Sequence, residues 1–168
     1  MTPVTGLPQV DGWAQVISHP SASLFCVLAV QGQNANSVGK NLTELLLSAD
    51  VTSSAILHNS LLDLLQKART ELCKVQLACI AVIKGNRVVA ATNSGSVCLN
   101  RNEKVGEILK SESELKIIEG NFQQGDVFTL ATESAKNTFS PLKEYLNGNI
   151  ESIATKLVSL LQEEDNSS

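Results

Sequence analysis

Residues Leu24–Ala49 read LFCVLAVQGQNANSVGKNLTELLLSA, and the fold turns on how they are read. Seven apolar residues, Leu24–Val30, come first, and a turn through Gln31-Gly32-Gln33-Asn34-Ala35-Asn36 follows. Beyond it Val38, Leu42, Leu45, Leu46 and Ala49 recur at spacings of four, three, one and three. That spacing lays one apolar stripe along a helix, whereas the uninterrupted run predicts a strand buried on both faces. In many α/β proteins a strand ending in a glycine turn and then a helix carries the chemistry, because backbone amides and side chains converge there.

Before this stretch, MTPVTGLPQV (1–10) holds two prolines and a glycine and predicts an irregular arm. Asp11-Gly12 predicts a turn, Trp13–Ile17 a first strand, and His19–Ser23 the hairpin connection into Leu24. After it, Asp50-Val51 breaks the helix, and Thr52 or Ser53 is placed to cap a longer one. Leu57, Leu61, Leu64, Leu65, Ala68 and Leu72 share the stripe of that second helix. From Gln76 onward the runs shorten: Leu77–Ile83, Arg87–Thr92, Ser96–Leu99, Lys104–Leu109, Leu115–Glu119 and Val127–Thr132. Tight turns rich in Gly and Asn separate most of them, the pattern of an antiparallel meander. Asn149 caps a final helix with Ile150, Ile153, Ala154, Leu157, Leu160 and Leu161 on one face.

Two helices, a run of strands and a terminal helix make an α+β order. Because Leu24–Val30 and Leu77–Ile83 are apolar on both faces, the expected architecture is an α/β/β/α four-layer sandwich. Two mainly antiparallel sheets stack face to face in it, flanked by helices, as a single domain over 1–168.

Composition narrows the function. In 168 residues, 43% are hydrophobic and 18% charged, so the chain has material for a real core of Leu, Val, Ile and Ala. A net charge of −4 with no basic cluster argues against nucleic acid and anionic membrane as partners. The apolar runs fall far short of the ~20 residues a bilayer requires, and no charged-then-apolar leader opens the chain, so a cytoplasmic location is expected. Cys26, Cys73, Cys79 and Cys98 form no C-x-x-C pair and are expected to be buried free thiols.

The motifs are mostly near misses. Gly32 and Gly39-Lys40-Asn41 are separated by six residues, where a phosphate loop needs four and a hydroxyl after the lysine. Lys40 is therefore expected to be a solvated helix residue. His19 and His58 are the only histidines, and no G-x-S-x-G or H-E-x-x-H surrounds a candidate nucleophile or base. The acids say more. Asp126, in Gly-Asp, is a standard turn residue. Glu133 stands where a strand gives out, and with a carboxylate from the end of the chain it supplies oxygen ligands suited to magnesium or manganese.

Taken in order, these segments resemble the metal-dependent, PPM-type (type 2C) serine/threonine phosphatases. Leu24–Leu47 is similar to that family's strand, Asp-Gly, loop and helix. Leu77–Leu99 (LACIAVIKGNRVVAATNSGSVCL) is similar to its hairpin ending in Gly-Asp-Ser, and Gly125–Ser134 (GDVFTLATES) to its strand ending in Ser-Asp-Gly. Leu157–Ser168 (LVSLLQEEDNSS) is similar to its last helix leading into Asp-Asn. The resemblance implies the same four-layer sandwich and a reaction in which two metal ions activate water against a phosphoserine or phosphothreonine.

Carried over residue by residue, it leaves few ligands. The bridging Asp falls on Gln31, with Gly32 keeping its carbonyl, and the N-terminal acid pair falls on Val10 and Asp11. The Asp of Gly-Asp-Ser falls on Gly95, and that of Ser-Asp-Gly on Glu133, with Ser134 for the glycine. Asp165 with Asn166 is retained. The remnant metal positions are thus Asp165, Glu133, Gly32 and Asp11. The stretch Glu107–Ile118 is compressed relative to active members. The chain stops where a final strand would follow, as expected of a domain that lost that strand or a piece of a longer protein.

The expectation is a degenerate pseudophosphatase acting as a binding or regulatory module, with no cofactor and with a protein or phosphoprotein as partner. Its alternative is an active magnesium- or manganese-dependent phosphatase with an atypical site.

Overall fold

The apolar run becomes β2 (Leu24–Gln31), which pairs antiparallel with β1 (Gly12–Ser18) on one side and β3 (Lys74–Lys84) on the other. The computed structural model describes residues 11–19, 23–138, 146 and 148–165, the side chains of 136–138 and 160–165 excepted. Further strands are β4 (Arg87–Thr92), β5 (Gly95–Arg101), β6 (Lys104–Ser111), β7 (Lys116–Asn121) and β8 (Val127–Thr132). The helices are α1 (Ala35–Leu47), α2 (Ser54–Thr70), the short α3 (Glu133–Thr138) and α4 (Ile150–Asp165).

Two antiparallel sheets result, one of five strands in the order β1-β2-β3-β4-β7 and one of three in the order β6-β5-β8. The meander read from the sequence is corrected here. The chain passes to the second sheet after β4, returns to the first with β7, and crosses again to β8. The expected α/β/β/α layering holds. Leu24, Cys26, Leu28 and Val30 of β2 bury against α1 and α2, with Val38, Leu42, Leu57 and Leu61 opposite them. Ala78, Ala90, Val97 and Leu109 fill the space between the sheets. On the outer face of the second sheet, Cys98 and Ala131 meet Ile153 and Leu157 of α4.

β2 departs from its reading in one respect. Its helix-facing residues are buried, but Phe25, Val27 and Ala29 on the other face are only half-buried. The reason lies in the second sheet, which has three strands to cover five and whose edge strand β8 lies over β2 and β3.

Local chemistry explains the helix boundaries. Ser53 caps α2 by accepting the Ile56 N–H at 3.3 Å, and Asn149 caps α4 by accepting that of Ser152 at 2.8 Å. Leu72 does not continue the α2 stripe: it is 90% exposed, at φ +56°. The Cys73 N–H reaches the Ala68 carbonyl and the Leu72 N–H that of Arg69, both at 3.0 Å. This is a Schellman ending, with Leu72 in the left-handed position where glycine is usual. In α1 the buried stripe is Ala35, Val38, Leu42 and Leu46, with Leu45 turned outward.

All four cysteines are free and buried, as expected. Among the described residues no helix is long and apolar enough to cross a membrane.

Candidate functional site

The glycine turn after β2 opens the region to which the sequence pointed. Gln31 is the last residue of β2, exposed, with Gly12 and Lys74 as its direct partners across β1 and β3. Directly opposite residues of an antiparallel pair hold their side chains on one face, with Cβ atoms about 5 Å apart. Gln31 and Lys74 therefore leave the same face of the first sheet as direct neighbours at this end. The apolar run Leu77–Ile83 marks only the later part of β3, and Lys74 lies before it. The alternation Lys74-Val75-Gln76 was the available signal, because only the side chains facing the helices are apolar there.

Gly32 sits at φ +142°, and a Cβ there would press on Cys73 and the Leu72 carbonyl at 3.1–3.3 Å. Its N–H donates to the carbonyl of Asp11 at 3.0 Å, which ties the start of β1 to the end of β2. Its own carbonyl accepts the Ala35 N–H at 3.0 Å and so starts α1. Asp11 is exposed at φ +63°.

Glu133 opens α3 directly after β8, and its N–H donates to the Ser94 carbonyl at 3.2 Å. One of its carboxylate oxygens, Oε2, is buried without a hydrogen-bond partner. The next residue fastens the two sheets: the Ser134 N–H and hydroxyl both donate to Gln76 Oε1, at 3.0 and 2.9 Å. Glu133 is thus brought to the same end of the sandwich as Gln31, Lys74, Gly32 and Asp11. Asp165 ends α4, but its side chain, like Val10 and Asn166, lies outside the described residues.

Asn93-Ser94-Gly95 joins the sheets. Asn93 is buried, its Oδ1 accepting the Leu77 N–H and its Nδ2 donating to the Val75 carbonyl, both at 2.8 Å. The amide extends the β3–β4 ladder where the backbone leaves it, which an Asn in a turn does not disclose from sequence. Gly95 lies at φ +151°, and a Cβ there would overlap the Ala131 carbonyl. No side chain fits that position as the backbone runs.

The remaining candidates have structural roles. Gly39 lies within α1, where a Cβ would overlap the Trp13 ring, so it is a packing residue rather than part of a phosphate loop. Lys40 is exposed. Asp126 receives Arg101 at 2.6 and 2.8 Å and the Gln123 N–H at 2.8 Å. The Arg101 guanidinium holds its carboxyl below the usual aspartate value. Among the described residues, no group of three or more His, Cys, Asp or Glu could hold a metal ion.

No family model matches the chain, and no curated protein matches it by sequence. Solved structures do match. The catalytic domain of the serine/threonine protein phosphatase PstP, solved with two manganese ions, superposes with a TM-score of 0.69 at 15% identity, over 94% of this chain and 88% of that one. PppA, a regulatory component of the type VI secretion system of Pseudomonas aeruginosa, gives 0.69 at 17% identity, over 88% and 83%. The PP2C phosphatase domain of SpoIIE from Bacillus subtilis, with a fragment of its regulatory domain, gives 0.62 at 13% identity, over 95% of this chain and 53% of that one.

Proposed function

We propose that this chain, whose fold is that of the PP2C (PPM-type) phosphatases, is a catalytically inactive relative that serves as a binding or regulatory module. The observation that carries the reading is the pairing of Gln31 with Lys74 across β2 and β3. Two dications about 4 Å apart repel by roughly 16 kcal/mol at an effective dielectric of about 20. Bridging carboxylates offset that repulsion. Gln31 brings no negative charge, and its register partner Lys74 on the same face is a cation rather than an acid. Gly95 has no room for an acid. This donor set does not fit two metal ions. The partner of such a module would be a protein or phosphoprotein.

The test is a calorimetric titration with manganese chloride, with p-nitrophenyl phosphate turnover measured in parallel. The expected result is no two-site binding and no turnover above the uncatalysed rate. Tight two-site binding with turnover would overturn the reading.

One observation favours the alternative of an active enzyme: the partnerless buried Oε2 of Glu133, an acceptor of the kind a cation would satisfy. In that case Glu133 and Asp165, with Asp11 and the Gly32 carbonyl, would hold magnesium or manganese. Turnover abolished by Asp165→Ala would then be observed.

A further inference from the structure

Cys26 lies directly opposite Cys79 across β2 and β3. Hydrogen bonds at the strand ends fix what kind of pair this is. On the β1 side, the His19 N–H donates to the Leu24 carbonyl at 2.8 Å and the Gly32 N–H to the Asp11 carbonyl at 3.0 Å. The even-numbered residues of β2, Cys26 among them, therefore direct their backbone groups to β1. On the β3 side, the Val82 N–H donates to the Ser23 carbonyl at 2.7 Å, so the odd-numbered residues are the bonded ones there. Cys79 turns its own backbone toward Ala91 of β4, in phase with the Asn93 N–H on the Leu77 carbonyl at 3.2 Å. Cys26 and Cys79 are thus a non-hydrogen-bonded pair, the kind with Cα atoms about 4.5 Å apart and side chains closest. A disulfide spans about 4.4–6.8 Å between Cα atoms, so the pair stands at the short end of that range.

Both side chains are fully buried in the core beneath α1 and α2. Burial pushes the Cys79 thiol up to about 12. It also raises that of Cys26 well above its usual value, and Cys79 beside it adds to the rise. Thiolates are the attacking species in disulfide exchange, so the closed sandwich keeps the pair inert. Since β3 is the middle strand of five, exposing the pair means opening the sheet.

We propose that Cys26 and Cys79 are a redox-sensitive clasp, closed to a cross-strand disulfide by a small-molecule disulfide when β2 and β3 part. In the opened state one cysteine, as thiolate, attacks a sulfur of the small disulfide. A mixed disulfide forms and one small thiolate leaves. The other cysteine, also as thiolate, attacks the protein sulfur of the mixed disulfide and expels the second small thiolate. The protein gives up two electrons and two protons, and the small disulfide takes them up as two thiols. A bridge at the short end of the range is of the strained, reducible kind, so a dithiol reverses the step. Closed, the clasp fastens the strand that ends in Gln31 to the strand that begins at Lys74. Cys73 precedes β3 and Cys98 belongs to the second sheet, so neither stands in this register. The clasp is independent of the metal-site reading above.

The test incubates the reduced full chain with oxidised glutathione at several urea concentrations below the unfolding midpoint, then alkylates and digests it with trypsin. Cleavage leaves Cys26 in 1–40, Cys73 in 70–74, Cys79 in 75–84 and Cys98 in 88–101. The expected product is 1–40 joined to 75–84, in at least tenfold excess over the other pairs. Its rate of formation rises tenfold or more from zero urea toward the midpoint. After urea is removed, the oxidised chain keeps the slow amide exchange of β2 and β3, and dithiothreitol restores both thiols. Cross-links without preference for this pair, or mixed disulfides that never resolve, overturn the proposal. So does a rate indifferent to urea, or a bridged chain that has lost its β2 and β3 protection.

Discussion

Single residues decide two matters in this chain, and each can be tested by one substitution. Gly39→Ala would gain up to about 1 kcal/mol in an exposed helix. Here the added methyl meets the Trp13 ring, and overpacking of this kind costs about 1–3 kcal/mol, so the urea midpoint should fall. Leu72→Gly should do the reverse. It relieves a left-handed leucine, worth about 1–2 kcal/mol, and removes an exposed apolar side chain. A midpoint that stays or drops would show that the α2 ending is not strained. Both effects were hidden in the sequence. Gly39 read as part of a failed phosphate motif and Leu72 as the last of a helical stripe, because neither a distant indole nor a reversal of the chain leaves a local signature. Gln31 was legible, since its position at the end of an apolar run marks it whatever surrounds it. Lys74 was not, since its importance comes only from the register that sets it opposite.

At the level of elements, junctions carry the stability that periodicity does not reveal. Asn93→Ala strands the Leu77 N–H and the Val75 carbonyl in a buried position. Each unmet group costs about 1–3 kcal/mol, so a loss of roughly 3 kcal/mol is expected in chemical denaturation. An isosteric Asn93→Asp keeps the acceptor for Leu77 but loses the donor to Val75, and should be no better tolerated. The turn before β8 brings a pH dependence. The Asp126 carboxyl is held below its usual value, mainly by its hydrogen bonds from Arg101. Its stabilisation is therefore fully present above the unfolded value of about 3.9 and is lost as the pH falls through the lower folded value. Asp126→Asn should flatten the acid limb of a stability profile recorded between neutral pH and about 2. Strand and helix identities were readable from spacing and caps, Ser53 and Asn149 among them. Which sheet a strand joins was not, because β5 and β7 are both short, seven and six residues, with nothing in their sequence to tell one sheet from the other.

At the scale of the whole molecule, side-chain hydrogen bonds tie the layers together near the end where Gln31 stands. Gln76 of the first sheet holds Ser134 beyond the second through two hydrogen bonds to one oxygen. On the proposal that the donor set holds no metal pair, addition of a chelator should leave the thermal midpoint unchanged, whereas a resident cation would lower it on removal by the usual binding linkage. The four-layer plan was visible in two strands apolar on both faces, yet one of them keeps an inner face half open. That followed from the width of the other sheet, a quantity no single segment encodes. The alternation of the chain between layers has a kinetic corollary. Since it changes sheet after β4, after β6 and after β7, neither layer can be completed while the other is still unformed. Val89 in one and Val97 in the other, both fully buried, should exchange their amide hydrogens with the same opening free energy, as members of one slow, long-range cooperative unit.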